Sequence, residues 1–325
     1  MSLEAEALAD RRRLQRRLTF WRFGAVIFAI ALSAGLMVNS GLVSSNLPGS
    51  TQIARVSISG IIQDDRKQLR LLKKIAEADH VKAVLLHVNS PGGTTTGGES
   101  LFEAIRGIAE KKPVVAIFGT IATSAAYIAG LATDHIVSRG NTITGSVGVI
   151  FQWAEVSELL SKIGVKVEEI KSGPLKASPS PFKPTDEAGR ALAQEMVLEA
   201  HEWFLDLVAK RRGINPGSVD GLKEGRIFSG RQALALKLVD EIGGEAVAIK
   251  WLETAHEISS KTKVIDWKVT SSSSIPLISG LAKAVERYTG LPLDQLFGLA
   301  NTNGTFVRLR LDGLISVWHP GAIRE

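Results

Sequence analysis

"VKAVLLHVNSPGGTTTGGESLFEAIRGIAEKKPVVAIFG", residues 81–119, decides the fold. Residues 81–88 are an apolar, β-branched run that stops at Asn89-Ser90-Pro91-Gly92-Gly93, as a buried strand stops at a turn. Leu101, Ile105 and Ile108 then recur at helical spacing, and residues 113–119 form a second apolar run. Strand, helix and strand over such a length predict two parallel strands joined by a crossover helix. Upstream, "ARVSISGII" (54–62) reads as another strand, and "DDRKQLRLLKKIAEA" (64–78) as a helix with Leu69, Leu72, Ile75 and Ala76 on one face. The fold class is therefore α/β, with a largely parallel sheet covered by helices. Ligands of such sheets gather beyond the carboxyl ends of the strands. Both "SPGG" and the "GTIATSAAYIAG" stretch (119–130) lie there.

Farther on, "DEAGRALAQEMVLEAHEWFLDLVAKRRG" (186–213) predicts a long helix with Thr185 as N-cap, acids in the first turn and Lys210, Arg211 and Arg212 in the last. Leu192, Met196, Ala200, Trp203 and Leu207 make its expected core stripe. The chain has no internal repeat and no metal-ligand spacing, and its six His are scattered, so neither a metal nor a cofactor is implied. It has no Cys, which excludes disulfides, thiolate nucleophiles and Cys-ligated zinc.

The formal charge of +6 does not indicate nucleic acid. Half of it comes from residues 1–43, where six Arg face three acids, and Tyr and Phe are too sparse for base stacking. The charge-free stretch "FGAVIFAIALSAGLMVNSGLV" (23–43) would reach about 30 Å as a helix, the thickness of a bilayer core. All six Arg precede it, so the positive-inside rule leaves the N-terminus in the cytoplasm and carries the rest across. A cleaved signal peptide and a buried core helix are the competing readings. The expected organisation is a basic cytoplasmic N-terminus (1–22), a transmembrane helix (23–43), a linker (44–51), a catalytic domain (52–265) and a C-terminal extension (266–325).

Ser124 is a nucleophile candidate because a serine between a strand and a run of small residues can sit on a tight turn into a helix, with the following backbone amides aimed at its target. The glycines of "NSPGGTTTGG" supply a second set of amides that can approach a substrate closely. A close-packed helix start and an ordinary turn explain the same residues. The base is less legible. His87 lies inside an apolar strand and reads as a core residue, and His135 is followed by the strand-like "IVS". The other route is a Ser-Lys dyad, in which burial or like charge must lower a lysine from about 10.4 toward neutrality at a cost of roughly 4 kcal/mol. Lys171, Lys176 and Lys183 share the acid-free stretch between Glu169 and Asp186, and local composition does not choose among them.

Five motifs, in order, are similar to those of the signal peptide peptidase A group of bacterial serine proteases, also called protease IV and related to the ClpP/crotonase fold. They are "VNSPGG", "GTIATSAAYIAGLATDHIV", "TITGSVGVI", "IKSGPLKASPSPFKPT" and "GRIFSGRQALALKLVDEIGG", and the resemblance covers roughly residues 52 to 250. It implies repeated strand-strand-helix units with a parallel sheet, Ser124 as nucleophile, Lys176 as general base, and Ser146 as the residue orienting that lysine. It also implies an oxyanion hole from Gly92 and Gly93 with the amide of Ala125. The family often has "SGGY" where this chain has "SAAY", and a ring before the lysine where this chain has Leu175. ClpP relatives carry a catalytic His about 25 residues beyond the serine, where this chain has Val149.

The resemblance implies a membrane-anchored serine endopeptidase that degrades cleaved signal peptides and other unfolded apolar peptides. It would be held in the inner membrane with its catalytic domain outside the cytoplasm, as a homo-oligomer whose protomers share active sites. A catalytically silent membrane scaffold of the same fold is the alternative. Residues 266–325 lie beyond the resemblance. Their expected role is to pack on the chain's own domain, the other readings being a membrane-surface helix pair, a protomer contact or a tail in a neighbour's cleft.

Overall fold

The computed structural model describes residues 51–269 and 315–317, together with residues 17, 18, 20–28 and 32. Residues 51–269, together with 315–317, form one compact unit, which carries all of the described strands. Most of the 23–43 segment lies outside the described residues; among those described, no helix is long and apolar enough to cross a membrane.

Strands β1 (Gln52–Ile62), β2 (Val81–Thr94) and β3 (Val114–Thr123) alternate with helices α1 (Arg66–Glu77) and α2 (Thr95–Ala109), as the sequence predicts. Asp65 caps α1 by accepting from the Lys67 amide at 2.8 Å. Thr94 caps α2 by accepting from the Gly97 amide at 3.0 Å, which starts that helix six residues before Leu101. After α3 (Ala125–Leu131) come the short strands β4 (His135–Ser138) and β5 (Ile143–Gly145), then α4 (Ser157–Lys162) and α5 (Glu187–Arg212). The chain continues through β6 (Ile227–Ser229), α6 (Gly230–Ala235), β7 (Glu241–Ile242), α7 (Glu245–His256) and β8 (Lys263–Asp266), and β9 (Ile315–Val317) completes the nine-stranded sheet. The main path runs β6-β5-β3-β2-β1-β8. Every pairing is parallel except β5 with β6 and β2 with β9.

Both faces of the parallel strands are buried, so their apolar runs are continuous rather than alternating. Ala54, Val56, Ile58, Val84, Leu86 and Val88 point toward α1, α2, α3 and α5, whereas Ile53, Ala83, Leu85, Val115 and Ile117 point toward α7. Each fully buried Leu or Ile contributes about 1.5–3 kcal/mol.

Three local expectations change. The N-cap of α5 is Asp186, which accepts from the Gly189 amide at 2.7 Å; the Thr185 hydroxyl instead accepts from the Trp153 indole at 3.0 Å. The buried face of α5 is Gly189, Ala193, Phe204 and Val208, and Met196 of the expected stripe is 42% exposed. The apolar residues of α5 outnumber what one face can hold, so periodicity alone mis-sets the rotation by one residue. His87 is not a core residue. Its ring is half-buried at the edge of α7, with Nε2 2.8 Å from Glu245 Oε2, because a paired imidazole is less costly there than a buried unpaired one.

Candidate active site

Strand β3 pairs with β2 on one edge and divides its other edge between two partners. Its first half, Val115–Phe118, pairs with β4, and its second, Ile121–Thr123, pairs with β5. At the changeover the Asn89 side-chain oxygen accepts from the amides of Thr120 and Ile121, at 3.1 and 3.2 Å. This gives the Asn of "VNSPGG" a structural role. The hydroxyl of Thr123 donates to the Pro91 carbonyl at 3.0 Å and closes the "SPGG" loop onto the end of β3.

Ser124 follows directly. It is 1% exposed and adopts φ 59°, ψ −122°, a conformation costly for any residue with a Cβ, and α3 begins at the next residue. This is the sharp strand-to-helix turn of a nucleophile elbow, with the Ala125 amide at the helix start beside the hydroxyl-bearing carbon. Register brings in the second serine. Thr123 lies opposite Gly145, and the Ser124 amide donates to the Gly145 carbonyl at 2.9 Å, so Ser146 is the neighbour of Ser124 across the sheet. Ser146 also has positive φ, 53°, and its amide donates to the Arg226 carbonyl at 3.0 Å, just before β6. The "GRIF" segment thus supports Ser146, a role the sequence reading did not assign.

On the other flank, Gly93 lies against β1, where a Cβ would come 1.8 Å from the Ile62 carbonyl oxygen, so no other residue fits. The Gly92 amide donates to the Ser90 hydroxyl at 3.1 Å. That bond commits the Gly92 amide to the loop's own geometry. At the start of α2, a Cβ on Gly98 would sit 3.2 Å from the Ala125 methyl, and this accommodates the first alanine of "SAAY".

Helix α3 is buried along its whole length and fixed at both ends. The Tyr127 hydroxyl donates to the Leu238 carbonyl at 2.7 Å, and complete burial pushes its phenol well above the ordinary range. Arg211 donates from Nε to the Leu131 carbonyl at 2.7 Å and from Nη2 to the Thr133 carbonyl at 2.9 Å. Arg106 reaches the Ala132 carbonyl at 3.0 Å. These cations satisfy carbonyls at and just beyond the end of the helix that Ser124 precedes.

The lysines are carried on the arm between β5 and α5. Lys171 pairs with Glu169 at 2.8 Å, and that hydrogen bond raises its pKa, the wrong direction for a base. Lys183 adds to the positive field that holds the Glu169 carboxyl below its usual range, after the stronger hydrogen bond from Lys171. Lys176 is exposed in a turn held by its own amide to the Gly173 carbonyl, 3.2 Å, and by Ser178 to Leu175, 3.2 Å; Ala177 beside it has φ 55°. Among the described residues its ammonium has no hydrogen-bond or ion-pair partner. The single chain brings Ser124, Ser146, Gly92, Gly93 and Ala125 to one end of the sheet, and among the described residues no hydrogen bond or ion pair joins Lys176 to them. The histidines are no closer to the role. His135 lies opposite Val115, about nine strand steps or on the order of 30 Å from Ser124, and stacks on Trp251 at 4.7 Å.

A serine on a strained strand-to-helix turn of a parallel sheet, flanked by backbone amides, is an arrangement typical of serine hydrolases. The family model for peptidase family S49 matches residues 107–259, and that for Clp protease matches residues 53–142. A Methanocaldococcus jannaschii protein provisionally named a protease is 30% identical over 86% of this chain and 95% of its own length. An Enterococcus faecium protein provisionally named signal peptide peptidase SppA is 36% identical over 67% of each chain. Protease 4 of Haemophilus influenzae is 30% identical over 78% of this chain and 43% of its own length. The chain belongs to peptidase family S49 and is a serine peptidase with a ClpP-like α/β fold.

Proposed function

We propose that this serine peptidase works through a Ser124–Lys176 dyad completed between two copies of the chain. The buried, left-handed Ser124 at the β3–α3 elbow carries the reading, because such strain persists where a reactive group must be aimed. In the proposed cycle the unprotonated Lys176 amine takes the proton of Ser124 Oγ as it attacks a peptide carbonyl, and Ser146 orients the amine. The amides of Ala125 and the Gly92–Gly93 segment stabilise the oxyanion, with Gly93 the better disposed glycine because the Gly92 amide serves Ser90. The protonated lysine then protonates the leaving amine, and water attacks the acyl-serine by the same route in reverse.

Two observations support the sharing of sites. Lys176 is exposed and unpaired on one chain, whereas a working lysine base needs burial. The arm that carries it also exposes Leu159, Ile163, Val165, Val167, Ile170 and Phe182, with Ile170 entirely in solvent, an apolar surface that a second copy would cover.

Membrane anchoring by residues 23–43, an active site outside the cytoplasm, and cleaved signal peptides with other unfolded apolar peptides as substrates rest on the sequence and on the family resemblance. The same holds for the division into residues 1–22, 23–43, 44–51, 52–265 and 266–325. The decisive experiment labels the detergent-solubilised full chain with a fluorophosphonate. Labelling confined to Ser124, together with Ser124-dependent hydrolysis of a signal-peptide substrate, supports the reading; no labelling of Ser124 in the assembled protein overturns it.

A further inference from the structure

The peptide unit between Pro91 and Gly92 has both of its polar groups committed, each to a hydroxyl. Its carbonyl accepts from Thr123 Oγ1 at 3.0 Å, and its N–H donates to Ser90 Oγ at 3.1 Å. Ser90 is anchored in turn to β1, where its hydroxyl donates to the Gly60 carbonyl at 2.6 Å. Both hydroxyl residues are fully buried, so bulk water does not compete for these bonds. Gly92 has φ 110°, a conformation open to glycine, and without the two hydroxyls the peptide plane beside it would be free to turn.

The Thr123 bond differs from the Ser90 bonds in where it ends. Thr123 is joined covalently to Ser124, and Pro91 stands two residues before Gly93, the donor that the proposed mechanism draws from this loop. The ladder between β2 and β3 is irregular here, with a register shift between Val88 and Ser90, and Ser90 opposite Ala122 is its last pair. Beyond that pair the Thr123 hydroxyl ties the loop to the elbow.

We propose that Thr123 is a positioning residue for hydrolysis: by pinning the Pro91–Gly92 peptide, its hydroxyl fixes the distance from Ser124 Oγ to the Gly93 amide. This rests on the reading of Ser124 as the nucleophile. With the hydroxyl gone the Pro91 carbonyl loses its donor, the plane relaxes, and the Gly93 amide moves with it. An oxyanion donor acts on the transition state rather than on the bound peptide, so its displacement lowers kcat and leaves KM in place.

The test is steady-state hydrolysis of a signal-peptide substrate by the detergent-solubilised full chain. Turnover is counted per Ser124 titrated with a fluorophosphonate, so that misfolded protein does not enter the rate. Thr123→Val keeps the shape and loses the donor. Thr123→Ser and Thr123→Ala differ from each other by one oxygen, and they decide the question should the valine variant not fold. The expected result is a kcat lower by roughly 10- to 100-fold in the valine and alanine variants at an unchanged KM, with most of it restored by serine. Equal kcat in the serine and alanine variants, or a change confined to KM, overturns the proposal and leaves the dyad standing. A parent whose Ser124 neither labels nor supports hydrolysis overturns both.

Discussion

The amide of Ser124 and the carbonyl of Gly145 meet at 2.9 Å, and this one bond sets the two left-handed serines, 124 and 146, side by side. Each conformation is unfavourable for a residue with a Cβ, at a cost on the order of 1–3 kcal/mol. Two such residues in contact across a strand pair mark the place where the surrounding packing of α3, β5 and β6 holds the backbone against its preference.

On the dyad reading, Ser124→Ala and Lys176→Ala each reduce peptide hydrolysis by on the order of 10⁴-fold or more, and the double variant is hardly worse, since groups that act as a unit are not additive. Lys176→Arg is equally inactive, because a guanidinium does not give up its proton. Lys171→Ala is the mildest of the single changes, because it loosens the arm by removing the partner of Glu169 and leaves the proposed base in place. Steady-state kinetics on the five variants check the assignment, and a dead Lys171→Ala beside an active Lys176→Ala reverses it.

Mixing inactive Ser124→Ala with inactive Lys176→Ala, under conditions in which subunits exchange, restores part of the activity if sites are shared. An intact serine then meets an intact lysine at some interfaces. Mixed oligomers that form and stay inert show that each chain builds its own site.

Gly98→Ala places a methyl 3.2 Å from the Ala125 methyl and pushes the start of α3 by a few tenths of an ångström. Activity falls by roughly 10-fold through misalignment of the elbow. Ala125→Gly in the same chain relieves the contact and recovers much of the loss. The double-mutant cycle measures this coupling, and additive effects would place the origin of the loss elsewhere.

The Glu169–Lys171 pair fixes the base of the lysine arm and makes its order pH-dependent. The hydrogen bond from Lys171 holds the Glu169 carboxyl below its ordinary range. Its stabilisation is therefore complete above the ordinary carboxylate range and is lost as pH falls through the depressed value. Limited proteolysis between residues 163 and 183 accelerates on acidification, and Glu169→Gln removes that acid-side step by making the arm labile throughout.

Arg211→Met leaves the carbonyls of Leu131 and Thr133 without their guanidinium donor. The protein loses about 1–3 kcal/mol against urea. A midpoint unchanged from the parent's would show that water replaces the arginine without cost.

The sheet was legible because β1, β2 and β3 are buried on both faces, and their apolar runs and terminal turn residues leave little ambiguity. The serine elbow was legible for a related reason: Ser124 follows a strand and precedes residues too small to do anything but pack closely. The division of β3 between two partners was not, since it depends on Asn89 reaching across from the neighbouring strand to satisfy two amides. Periodicity carries no record of such a contact. The rotation of α5 was lost in an excess of apolar positions. The three lysines look alike in local composition, because the pairing that sets Lys171 apart is made by the fold of the arm, which turns Glu169 back onto it.

The exposed arm has a consequence for control. If every nucleophile must borrow its base from a neighbour, a newly made chain carries half a catalyst and is harmless to other nascent polypeptides around it. Specific activity would then climb with protein concentration and vanish on dilution, so that crowding itself is the activating signal.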